Sequence, residues 1–90
     1  MGVFEWGMKT ELLLKEIEQV NMLCNICDKY KGKFDVDISC GSYSVDGNSV
    51  LGVLQLLGRV VTIEPITCKI DDQESVERFI NEVKELEEYL

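Results

Sequence analysis

Cys24 and Cys27 form a C-x-x-C, the first spacing in this chain that could do chemistry. Such a pair can hold zinc or cycle between dithiol and disulfide. Zinc asks for a second close pair, and Cys40 and Cys68 stand alone on expected strands. A thioredoxin-like site follows a strand and opens a helix, whereas these two fall inside a helical pattern. The cysteines therefore read as reduced, buried, small apolar side chains, with no metal and no cofactor expected. Histidine is absent from all 90 residues. That removes the commonest metal ligand, the usual general base near neutral pH and any phosphohistidine. Glu16 and Glu18 are an acid pair, but residues two apart on a helix do not face each other. No enzyme activity is expected.

The remaining candidate is a serine at the head of an apolar run, in the stretch Val45–Leu57 (VDGNSVLGVLQLL). Asp46-Gly47 is a turn dipeptide, and Asn48 or Ser49 offers an oxygen to the free N–H groups that open a helix. The helix expected over 50–57, ending at Gly58, carries Val50, Leu51, Val53, Leu54, Leu56 and Leu57. One stripe at helical spacing needs only Val50, Val53, Leu54 and Leu57, so Leu51 and Leu56 are surplus to an amphipathic face. Either the helix is wholly buried, or its outer face docks a partner.

These residues must be positioned by a small domain. Ninety residues suffice for one modest core, and a hydrophobic content of 46% excludes disorder. The net charge of −8 argues against nucleic acid, whose phosphates need a basic surface. No apolar run reaches the roughly 18–20 residues of a membrane span. Met1–Gly7 has neither a positive charge nor a long apolar segment, so no signal peptide is read there and a cytoplasmic location is expected. Residues 1–7, with Phe4 and Trp6, read as an N-terminal extension, and 8–90 as a single domain.

Lys9–Leu14 suits a first strand. Glu16–Tyr30 follows as a helix, with Ile17, Val20, Leu23, Cys24 and Cys27 on one face. Phe34–Cys40 (FDVDISC) alternates apolar and polar and reads as a half-buried strand. Gly41-Ser42 turns it into a hairpin with Tyr43–Val45. Val60–Ile63 is a further strand, which Pro65 assigns to a sheet edge or ends near Glu64, and Thr67–Ile70 could resume the pairing. Asp71-Asp72 caps a last helix whose apolar stripe is Val76, Phe79, Ile80, Val83, Leu86, Tyr89 and Leu90. The order β-α-β-β-α-β-α implies an α+β, two-layer open-faced sandwich: a four-stranded antiparallel sheet with three helices on one face.

In that order, residues from about Met8 to Leu86 resemble the HPr family, the phosphocarrier proteins of the bacterial sugar phosphotransferase system. Ser49-Val50-Leu51-Gly52-Val53-Leu54-x-Leu56 is similar to the family's serine followed by a short apolar helix with a glycine inside it. Cys27-Asp28-Lys29-Tyr30 looks like the end of the family's first helix, Val61-Thr62-Ile63 like its fourth strand, and Asp71–Phe79 like the acidic start of its last helix. The family carries its phosphoryl group on a histidine at the start of the first helix. Counting back from Tyr30, that place falls on Glu16, within about one residue, with Glu18 and Gln19 where the family has arginine and proline. Two acids there would repel a phosphate. The resemblance thus implies a phosphocarrier homologue without the carrier step. In Gram-positive relatives a serine kinase phosphorylates the position matching Ser49, and the following helix docks protein partners such as a transcription regulator. Carried over, Ser49 is the regulatory phosphorylation candidate and Val50, Leu51 and Leu54 line the docking face. The alternative is a plain interaction domain with that helix as a homodimer seam and Ser49 only a helix cap.

Overall fold

The computed structural model describes residues 9–66 and 73–88. Seven elements follow in the expected order: β1 (Thr10–Leu13), α1 (Ile17–Tyr30), β2 (Asp35–Cys40), β3 (Tyr43–Asp46), α2 (Val50–Leu54), β4 (Val60–Ile66) and α3 (Gln73–Glu85), closed by a 3-10 turn at Leu86–Glu88. The four strands form one antiparallel sheet in the order β1-β4-β2-β3. Alternation turns Leu12, Val36, Ile38, Val61 and Ile63 inward, where they meet Val20, Leu23 and Cys27 from α1 and Val76, Phe79, Ile80 and Val83 from α3. All three helices cover that one face. Phe4, Trp6, Cys68, the Thr67–Ile70 pairing, the Asp71-Asp72 cap, Tyr89 and Leu90 lie outside the described residues.

Four expectations change. β4 is an interior strand and runs through Pro65 to Ile66, not an edge strand that stops near Glu64. Its pairing with β1 ends at Thr10 opposite Ile63, while β2 accompanies it on to Ile66. Beyond Ile63 the strand therefore has a described neighbour on one side only, which is the condition a proline needs. Ile17 stands outside the core at 56% exposure, because the inward space of that first turn is taken by Gln19, which is fully buried. The helix expected over 50–57 keeps α-helical form only to Leu54. Past it, Leu56 N–H donates to Val53 C=O and Leu57 N–H to Leu54 C=O, the tighter three-residue spacing, before Gly58 turns the chain at φ 89°. Gly47 is required by close approach, not by a left-handed turn: a Cβ there would stand 2.8 Å from Cys27 Sγ and 3.1 Å from Val36.

Among the described residues, the three helices all lie on the inner face of the sheet, and the outer face carries opposed acids. Asp37 lies opposite Glu64 on β4 and opposite Asp46 on β3. Like charges in directly opposed positions destabilise a sheet. Asp37→Lys is therefore expected to raise stability by about 1 kcal/mol in urea denaturation, with the gain shrinking as salt screens the pairs.

One polar tie crosses the helix layer. The Tyr30 hydroxyl donates to Glu82 at 2.6 Å, and Lys29 Nζ meets the other carboxylate oxygen at 2.6 Å. Burial of the ring end and the hydrogen bond to Glu82 push the Tyr30 hydroxyl up to about 12. Burial works to raise Glu82 as well, but the bonds from Lys29 and Tyr30 outweigh it and hold the carboxyl below its usual range. The two signs differ. A depressed carboxylate stabilises the fold above its unfolded value of 4.5, and that contribution is lost as pH falls below it. A raised tyrosine contributes fully below its unfolded value of 10.0 and loses the contribution as pH rises towards about 12. Thermal melts of the native protein should therefore lose stability below pH 4.5 and above pH 10 more steeply than melts of Glu82→Gln.

Candidate functional site

The site is built on α2 and the residue that caps it. Asp46 Oδ1 accepts from the Asn48 N–H at 2.8 Å, closing the turn out of β3. That leaves Ser49, with extended backbone angles, as the N-cap; its Oγ accepts from the Gly52 N–H at 3.4 Å. Ser49 is itself exposed. Gly52 is what lets the helix lie this close, since a Cβ there would stand 3.1 Å from Val45 of β3 and 3.1 Å from Ser49 Oγ.

α2 divides its apolar side chains between two destinations. Val53 and, just past the helix, Leu56 are buried in the core. Leu51 is 75% exposed, Val50 46% and Leu54 37%. The fully buried helix is thus excluded, and the three residues expected to line a docking face point outward beside the capping serine.

Glu16 is the N-cap of α1. It is exposed, and the acidic first turn continues with Glu18. The Gly58 N–H donates to Leu14 C=O at 2.6 Å, and the Leu14 N–H to Arg59 C=O at 3.1 Å. These two bonds set the start of α1 beside the chain leaving α2.

Sequence reasoning missed two residues here. Ile17 adds an exposed apolar side chain next to Glu16; its place in the helical stripe pointed the wrong way. Gln19 holds the approach to Glu16: its Oε1 accepts from the Lys15 N–H at 2.6 Å and the Glu16 N–H at 3.0 Å, while its Nε2 donates to Leu86 C=O at 3.0 Å. The bond from the Glu16 N–H is the N3 half of a capping box, and a Gln three residues after the N-cap is the signal that could have revealed it.

The cysteines lie elsewhere. Cys24 and Cys27 are buried under α1. Burial raises the Cys24 thiol above its ordinary value, and burial, Cys24 and Asp46 together push Cys27 up to about 12. Burial of this kind disfavours the thiolate, the form that attacks or ligates a metal.

No family model matches the chain, and no curated protein matches it. The backbone does find a counterpart: the crystal structure of HPr-C-His from Thermoanaerobacter tengcongensis superposes with a TM-score of 0.66 over 90% of this chain and 91% of that one. The fold is HPr-like. Sequence identity over the match is 17%, so the likeness is one of fold alone. Among the described residues, no helix of this HPr-like domain is long and apolar enough to cross a membrane.

Proposed function

We propose that this HPr-like protein is a cytoplasmic regulatory or adaptor module without histidine phosphocarrier activity, switched at Ser49 and docking protein partners through α2. The observation that carries the reading is Leu51 at 75% exposure, flanked by outward Val50 and Leu54, on a helix capped by that serine. The carrier step has no residue to run on, because the chain lacks histidine and Glu16 stands at the start of the first helix. A phosphate on Ser49 would carry roughly −2 charge at pH 7. It would face the free N–H groups at the start of α2, and it would set that charge beside the apolar face. Partners that read both features are selected by the switch: a serine kinase that writes it and a transcription regulator that binds the written form.

The competing reading is a homodimer through the same face, with Ser49 never modified. Sedimentation equilibrium over a wide concentration range separates the two. The regulatory module stays monomeric, as native protein and as Ser49→Asp. A mass that rises with concentration, collapses in Leu51→Asp and ignores Ser49→Asp would make α2 an assembly seam instead.

A further inference from the structure

We infer that the cavity between the β2–β3 hairpin and the turn leaving α2 binds a small oxyanion, a carboxylate or phosphate group, held by Arg59. The cavity has a volume of about 300 Å³ and is lined by Cys40, Tyr43, Gln55, Leu56 and Arg59. That is the lower end of the range for small-molecule sites. Its polar groups are mostly donors. The Tyr43 hydroxyl donates to Gln55 Oε1 at 2.8 Å, which occupies the amide oxygen and leaves the two N–H groups of Nε2 available. Arg59 makes no ion pair among the described residues. Its guanidinium offers five N–H groups in a planar fork that matches an oxyanion.

Among the described residues no acid lines this cavity, which is informative in a chain of net charge −8. Three other surface cavities, along β1 and on the outer sheet face, are each lined by carboxylates: Glu11 and Glu87 in two, and Asp35, Asp37 and Asp46 in the third. Any of those repels an anion or already offers its bases a partner. The Arg59 cavity does neither.

The backbone of Arg59 is also held in place. Its N–H donates to Leu56 C=O at 3.1 Å and its C=O accepts from the Leu14 N–H at 3.1 Å. Leu56, at 3% exposure, contributes an apolar wall that lowers the local dielectric and strengthens the charge. A fork on a fixed stem loses less freedom on binding than one on a loose loop. This site is separate from the Ser49 switch and does not depend on it.

The test is a ¹H–¹⁵N titration of the full chain with sodium phosphate and, separately, with sodium malonate, at ionic strength held constant with chloride. The inference expects saturable shifts centred on the amides of Cys40, Tyr43, Gln55 and Arg59, with a Kd on the order of 1 mM. Arg59→Ala should weaken binding at least about tenfold, and Arg59→Lys should recover only part of it because the planar fork is gone. Both variants change an exposed side chain, and a native-like spectrum before titration confirms the fold. Saturation by phosphate alone identifies a phosphate ligand, by malonate alone a carboxylate, and by both an oxyanion site of broad acceptance. Shifts that never saturate, that centre on Lys29, Lys31 and Lys33, or that survive Arg59→Ala would overturn the inference.

Discussion

Phe79→Ala is expected to cost about 3–5 kcal/mol, the usual loss for truncating a fully buried aromatic. Phe79 is 0% exposed on the inner face of α3. Its ring meets Tyr30 edge-on, with centroids 5.6 Å apart at 81°, and Phe34 in the same way at 5.5 Å and 80°. Tyr30 and Phe34 stack on each other at 5.5 Å and 16°. The three rings join the end of α1, the start of β2 and the middle of α3, so removal of one leaves a void that rigid neighbours cannot fill. Domains of this size hold roughly 5–15 kcal/mol in all, so the variant would stand close to unfolding. Urea denaturation reads the loss directly. A cost under about 1 kcal/mol would mean that the triad is not packed as described.

Gln19→Ala is the second large effect, at about 2–4 kcal/mol, because three polar backbone groups lose their partner together. The Lys15 and Glu16 N–H groups and the Leu86 C=O all bond to this one fully buried amide. The side chain thereby clasps the start of α1 to the 3-10 turn at the far end of the chain. Gln19→Glu separates the hydrogen-bond account from simple packing. A carboxylate keeps the acceptor for the two N–H groups but faces Leu86 C=O without a proton. Its protonated form restores a donor, so this variant should regain stability as pH falls towards 5 while Gln19→Ala should not. Equal losses for both variants at every pH would rule out the clasp.

Much of the fold was legible because periodicity was clean. In the alternating stretch Phe34, Val36 and Ile38 became the buried face that their spacing indicated, with Cys40 only half-buried, and so did the stripe of Val76, Phe79, Ile80 and Val83. What escaped was decided by neighbours that are distant in sequence. Pro65 sits in an interior strand because β1 ends short of it, a fact of strand length that no local pattern carries. Ile17 obeys helical spacing but yields its place to Gln19, whose bond partner Leu86 lies 67 residues away. Gly47 is excluded from carrying a side chain by Cys27 and Val36, neither of them adjacent in the chain.

The candidate site shows the same division. A serine that caps a short apolar helix was readable from residue types alone, since the N-cap is a local device. Which faces of α2 would be covered was not, because burial depends on where Val45 and the core of the sheet lie. Among the described residues, the outward set includes Val50, Leu51 and Leu54 on α2 and Ile17 on α1.

The central claim is tested most directly by the intact mass of the protein after incubation with ATP and a Gram-positive HPr kinase, with Ser49→Ala alongside and an HPr that the kinase accepts as control. The account predicts one added phosphate on the native chain and none on Ser49→Ala. An unmodified native chain beside a fully phosphorylated control would contradict it, and Ser49 would then be a helix cap in an HPr-like interaction domain.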